Sequence, residues 1–260
     1  DVEYVQFIDG DCEVVEGWLS AAAATLDANP EVVAVCGWRR ERYPERSNYN
    51  RICDVEWRMG SVGETKSFGG DVMLCATALA AVGGYDQSVI AAEDDELSVR
   101  LRQNNGKILR LDQNCTLHDA DMHQLSQWWQ RAKRCGYAYA LVGQMHGTLP
   151  ERKFIKEVRD TWLWGLIVPL TALALMIPTH GVSLVAFGRY PLSALRTIYK
   201  TRSRGFSLAD SIVWGLSCGV SAFPQAFGAI KFYRDRLSNK QHEIIEYKAP
   251  QAPAIQSTGR

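Results

Sequence analysis

The run Tyr4-Val5-Gln6-Phe7-Ile8 is apolar and β-rich, and it breaks at once on Asp9-Gly10-Asp11. A buried strand that ends in an acidic tight turn limits what the chain can fold into more than any other feature of the sequence. Gly17-Trp18-Leu19-Ser20 then leads into an alanine run, predicting a helix over about 16–28 that Asn29-Pro30 stops, and Glu31 to Trp38 forms the next strand. Strand, helix, strand is the repeating unit of an α/β sheet.

Residues 39–51, with Pro44 and several arginines, are expected as a loop. Phe68-Gly69-Gly70-Asp71 precedes a short strand (72–75), an alanine-rich helix (76–82) and a turn at Gly83-Gly84-Tyr85-Asp86. Glu93-Asp94-Asp95-Glu96 opens a helix that runs to about Asn104 and is closed by Asn105-Gly106. Strands are expected over 107–111 and 115–118. From Met122 to about Val142 the period becomes helical, with Leu125, Trp128, Trp129, Ala132, Gly136 and Tyr139 on one face and Arg131, Lys133 and Arg134 elsewhere.

The second half has a different character. Residues 161–188 contain no Asp, Glu, Lys or Arg, and Trp162 to Ile177 is nearly continuous apolar sequence, enough to enter a bilayer. Pro178-Thr179-His180-Gly181 breaks it before a second apolar run to Leu195, and basic clusters flank both sides. A membrane hairpin over about 161–198 with cytoplasmic ends is the expectation, and a single tilted span over 161–188 is the competitor. The stretch from Ile212 to Ile230 is uncharged, follows Asp210 and carries Gly215, Gly219, Pro224 and Gly228, and the segment of about 206–230 reads as interfacial or re-entrant. The tail, 237–260, is expected to be disordered from Lys248 onward.

Charge and cysteine content narrow the function classes. With 29 acidic and 29 basic side chains the formal charge is zero, which leaves no basic field to draw the chain onto nucleic acid. Seven cysteines without a C-x-x-C pair argue against a zinc ribbon or a disulfide framework and fit a reducing compartment. A strand-like run starting at the second residue, with no signal sequence and no initiator methionine, is what a piece of a longer chain would show.

Four places carry candidate chemistry. Asp9 and Asp11 offer two carboxylates on one turn, which suits a hard divalent cation and a diphosphate, although Asp-Gly is also a common turn pair in its own right. Glu93 to Glu96 crowd four acids at a helix start; the helix dipole explains one or two, and mutual repulsion can lift one toward general-base range. His118, trailed by Asp119, Asp121 and His123, is a metal ligand or an ordinary core histidine. Gly69 and Gly70 either let a ligand approach the backbone or make a plain turn.

In their order, these pieces resemble the second half of a GT-A fold glycosyltransferase of family 2. The match comprises the D-x-D turn (Asp9, Asp11), the Gly69-Gly70-Asp71 strand entry, the Val82-Gly83-Gly84-Tyr85-Asp86 turn, an E-D-x-x-L-x-x-R-L helix (Glu93, Asp94, Leu97, Arg100, Leu101), His118 after a strand, and a Gln/Trp/Arg-rich helix. The resemblance implies an incomplete, Rossmann-like mixed sheet with flanking helices over residues 1–121, its first nucleotide-binding units missing. An amphipathic interfacial helix and linker (122–160), membrane-associated helices (161–236) and the tail (237–260) would follow. It further implies inverting, metal-assisted transfer from a nucleotide-diphospho-sugar to a lipid-linked or polysaccharide acceptor. Asp94 would be the general base; Asp11, His118 and Asp9 would hold Mn2+ or Mg2+; Asp9, Gly69, Gly70 and Asp71 would bind the donor; Glu93 and Trp128 would meet the acceptor.

Asp95 is the local rival for the base, and the E-D-x-x-L spacing selects Asp94. Processive relatives carry a Q-x-x-R-W signature, whereas Gln127-Trp128-Trp129-Gln130-Arg131 has the ingredients in another order. A bacterial inner-membrane location with a cytoplasmic catalytic part is the matching expectation. The competing readings are a non-catalytic membrane scaffold or subunit keeping a degenerate sugar-transferase domain, and a phosphohydrolase using Asp9, Asp11 and Asp94.

Overall fold

The computed structural model describes residues 2–148, 150–240 and 245–247. The first half comprises β1 (Tyr4–Phe7), β2 (Cys12–Val14), α1 (Trp18–Ala28), β3 (Val32–Glu41), a 3₁₀ turn (Pro44–Arg46), α2 (Asn48–Trp57), β4 (Gly63–Glu64), β5 (Val72–Cys75), α3 (Ala76–Ala81), α4 (Glu93–Gln103) and β6 (Lys107–His118). They form one mixed sheet of order β1-β5-β3-β6-β2, with β4 also on β6. β3 and β6 run parallel and the other pairs antiparallel.

Side-chain alternation along the strands decides which helix covers which face. Val72 and Leu74 of β5 bury against Leu97, Leu101 and Ile108 on the α4 side, whereas Met73 joins Val35, Trp18, Ala22 and Leu26 on the α1 side. Each fully buried Val or Leu side chain contributes roughly 1.5–3 kcal/mol, so the two clusters hold α1 and α4 to opposite faces. Gly37 lies where β3 slips register against β6. A Cβ there would meet Gln113 O at 2.5 Å and the Trp18 ring at 2.9 Å, so a side chain would lift Trp18 off the sheet.

Residues 39–51 are not the loop expected from their charges. β3 continues through Glu41, pairing Arg39, Arg40 and Glu41 with Thr116, Leu117 and His118, and α2 begins at Asn48 with Ser47 as its cap. Acidic partners elsewhere in the fold make this possible: Arg39 pairs with Asp71 and Arg40 with Asp54. The strands expected at 107–111 and 115–118 are a single strand whose pairing with β3 is irregular in the middle.

After α5 (Leu125–His146) the chain forms α6 (Ile155–Trp162), a π-helical turn (Leu163–Ile167), α7 (Val168–Ala174), a 3₁₀ segment (Val182–Gly188), α8 (Arg189–Ser203), α9 (Leu208–Val220) and α10 (Ala222–Leu237). Among the described residues no helix is long and apolar enough to cross a membrane. The hairpin expected over 161–198 is instead this series of short helices. α7 ends at Ala174, and the chain then turns through His180 and Gly181 at positive φ, far short of the roughly 20 apolar helical residues a span requires.

The re-entrant segment expected over 206–230 is α9 and the first half of α10, and its glycines are contact points rather than breaks. A Cβ on Gly228 would lie 1.9 Å from Lys133 O and one on Gly136 would lie 2.0 Å from Gln225 O, so α5 and α10 touch backbone to backbone. Ile167, Leu170, Leu173, Ile177, Val182 and Val185 are exposed. The tail expected to be disordered from Lys248 lies outside the described residues; just before it, Ile245 buries beside Val89, Tyr137 and Phe232.

Candidate active site

β1 delivers Asp9 and Asp11 to the edge of the sheet, and the Cys12 N–H donates to Asp9 O at 3.0 Å to close the turn. β2 then pairs with β6 so that Cys12 lies opposite His118. Asp9, Asp11, Cys12 and His118 consequently offer ligand atoms that all lie within 4.8 Å of one another, and His118 Nε2 is 3.1 Å from Asp11 Oδ1. Two carboxylates and an imidazole suit a divalent cation of the Mn2+ type, so the donor set fits the expected ion. Burial pushes the Cys12 thiol up to about 12.

Beside this cluster lies Arg39. Its guanidinium pairs with Asp71 at 2.5 Å and with Asp9 at 2.8 Å. Burial opposes the charge, but the two carboxylates more than offset it and raise the pKa further. Asp71 is itself buried and also accepts from the Thr116 hydroxyl. Gly70 makes room for the arrangement, since a Cβ there would meet Asp9 Oδ1 at 2.5 Å, whereas nothing lies within 4 Å of the Cβ position of Gly69. Trp57, at the end of α2, meets the His118 ring edge to face at 4.6 Å and lies 5.4 Å from Arg39 Cζ.

A second carboxylate group enters from α4. Arg100 holds the Gly83-Gly84 turn by donating to Val82 O and Gly84 O, each at 2.7 Å, while its other nitrogens bind the buried Glu96. Both glycines have positive φ, which a side chain would strain. The turn places Tyr85 so that its O–H donates to Asp94 Oδ1 at 2.9 Å. Desolvation in the cleft, then the negative charge of Glu93, push the Asp94 carboxyl up to about 7; the Tyr85 hydrogen bond pulls the other way, Asp9 adds to the rise and Arg39 opposes it. The rival Asp95 is held by Lys153 at 2.6 Å. Of the two adjacent acids, Asp94 thus has the environment of a base that works near neutrality.

Asp9, Asp11 and His118 share one cleft of about 900 Å3 with Gly69, Gly70, Asp71, Glu93 and Asp94. Its far wall is α5, which contributes Arg131, Arg134 and Tyr139. Trp128 does not join them: it is buried, and its indole N–H donates to Ser217 of α9 at 2.9 Å. Gln127 caps α5 instead, accepting from the Gln124 N–H at 3.0 Å and the His123 N–H at 2.7 Å, and Arg131 is spent on a two-pronged pair with Glu56. Sequence reasoning missed Arg39, Trp57, Tyr85 and Cys12 as parts of this site. Tyr85 lies inside a motif whose glycines predict a turn, and Cys12 directly follows the D-x-D triplet; Arg39 and Trp57 carry no local signal.

No protein-family model matches the sequence, and no curated protein matches it. Among solved structures, the mannosyltransferase PcManGT from Pyrobaculum calidifontis in complex with GDP-Man and Mn2+ is similar, with a TM-score of 0.54 and 18% identity over 90% of this chain and 63% of that one. S. aureus TarS 1-349 is similar with a TM-score of 0.43 and 14% identity over 86% of this chain and 67% of that one. The chain therefore spans less than two-thirds of the length of the mannosyltransferase. The likeness to PcManGT is one of fold: the mixed sheet and its flanking helices are GT-A-like.

Proposed function

We propose that this chain transfers a sugar from a nucleotide-diphospho-sugar to an acceptor hydroxyl, inverting the anomeric carbon as family 2 enzymes do. In this reading Asp94 is the general base, while Asp9, Asp11 and His118 hold Mn2+ or Mg2+. The observation that carries it is a carboxyl raised to about 7 lining the same cleft as a donor set compact enough for one divalent ion. That PcManGT is in complex with GDP-Man and Mn2+ supports the donor class and the ion.

Asp94 takes the proton of the acceptor hydroxyl as its oxygen attacks, and Glu93 orients that hydroxyl. The open space at Gly69 admits the donor close to the backbone, with Asp71 and Arg39 shaping the floor beneath it. A divalent ion bound here would offset the charge of the departing diphosphate.

The acceptor is a lipid-linked or polysaccharide chain met at a membrane surface. The exposed apolar side chains between Ile167 and Val185, with Lys156, Arg159, Arg196, Lys200 and Arg202 near them in the chain, support an interfacial contact with anionic lipid. Asp94→Asn in the full-length protein tests the chemistry: transfer should drop about 100- to 10,000-fold with metal-linked donor binding intact. Unchanged turnover would remove Asp94 from the mechanism, and absence of any nucleotide-sugar binding would favour a scaffold.

A further inference from the structure

Cys12 has no part in the proposed reaction, yet its sulfur belongs to the set of ligand atoms within 4.8 Å of one another. The sheet places it there: Cys12 and His118 are direct partners across β2 and β6, so their side chains leave the sheet on the same face. Carboxylate oxygens suit Mg2+ and Mn2+, whereas a thiolate added to an imidazole selects for Zn2+.

We infer that the site binds two classes of ion in two ways, and that Zn2+, taking Cys12 as a fourth ligand, closes it to the donor. A hard ion rests on Asp9, Asp11 and His118 while Cys12 stays a thiol, and its remaining positions are open to diphosphate oxygens. Zn2+ takes all four side chains, the thiol proton leaving to solvent as the Zn–S bond forms. A tetrahedral site filled by protein has no open position. Zinc bonds of about 2.0–2.3 Å place ligand atoms roughly 3.3–3.8 Å apart, so the donor atoms need to close by about 1 Å. The Asp9 side chain, 46% exposed, makes that move by giving up its 2.8 Å pair with Arg39. The inhibitory sense of the closed state rests on the glycosyltransferase reading; the four-ligand site does not.

Co2+ stands in for Zn2+ with a visible signature. Titrated into the full-length protein, it should produce a near-ultraviolet thiolate charge-transfer band and the strong visible absorption of tetrahedral coordination, both bleached by Zn2+. Cys12→Ser should lose the charge-transfer band and bind Zn2+ about a hundredfold more weakly in competition with a chromophoric chelator, the upper end of what losing even a supporting partner costs. Its Mn2+ affinity, read by electron paramagnetic resonance, should change less than about threefold, since sulfur adds little for a hard ion. Cys218→Ser, remote from the cluster, should keep the band. A wild-type protein that binds Mn2+ but shows no thiolate band with Co2+, or a band that survives in Cys12→Ser, overturns the inference. A Cys12-dependent band in a protein with no metal-linked donor binding would confirm the four-ligand site and refute the transfer reading instead.

Discussion

Removing one oxygen atom tests the proposed base. Tyr85→Phe deletes the hydroxyl that donates to Asp94 at 2.9 Å and keeps the ring, whose edge-to-face contact with Phe7 at 5.2 Å does not need that hydroxyl. A hydrogen bond to a charged acceptor contributes about 1.5–3 kcal/mol, and about 1.36 kcal/mol corresponds to one pH unit. Loss of the bond should therefore move the titration of Asp94 upward by about one to two pH units from its wild-type position at about 7. At about pH 7 the ionised fraction falls from about a half to between a tenth and a hundredth, so kcat/KM should drop about 5- to 50-fold and recover above about pH 9. The assay is the pH profile of kcat/KM for both proteins at saturating Mn2+. Neutralising Asp9 with metal lowers both titrations alike and leaves their difference. An acid limb that does not move, or a loss equal at every pH, would refute the assignment.

Three further outcomes concern stability. Because the Asp94 carboxyl is raised, the native protein keeps a proton that the unfolded chain has already released between about pH 4 and 7, so the contribution of this group falls as pH rises through that window. Urea unfolding at the two ends of the window should show a difference smaller by about 2–4 kcal/mol in Asp94→Asn than in the wild type. Asn50→Ala strands the Met122 N–H and one bond of the buried Glu41, and should cost about 2–4 kcal/mol by urea denaturation while loosening the segment that follows His118. Gly228→Ala forces a methyl to within 1.9 Å of Lys133 O, and calorimetry should show a loss of about 1–3 kcal/mol or more as α10 is pushed off α5.

How much of this was legible in the sequence differs by region for physical reasons. Tyr4 to Phe7, α1, β5 and α4 follow local rules of strand pattern, helix propensity and capping, and they were readable. So was the order of Asp9, Asp11, Asp94 and His118, which the fold gathers into one cleft. β3 beyond Trp38 is hidden because Arg39, Arg40 and Glu41 are satisfied by Asp71, Asp54, Asn50 and the Ala120 N–H, partners that lie outside the strand itself. Local polarity there mimics a loop.

In the helical half, composition misleads about one point only, a membrane-crossing helix: none of the described helices is long and apolar enough. In the segment expected to be interfacial or re-entrant, about 206–230, Gly215, Gly219 and Gly228 are small because a neighbouring helix lies against them. Composition alone does not distinguish helix-to-helix contact from lipid contact. The tryptophan expected at the acceptor is buried and donates to Ser217, 89 positions away, a contact that no local pattern announces.

The most direct measurement is calorimetric titration of the full-length protein with nucleotide-diphospho-sugars, with and without Mn2+, repeated on Asp11→Asn. The expected result is at least one donor that binds only when Mn2+ is present and no longer binds to the variant. Donor binding that ignores both Mn2+ and Asp11, or no binding by any donor, would contradict the account of this cleft.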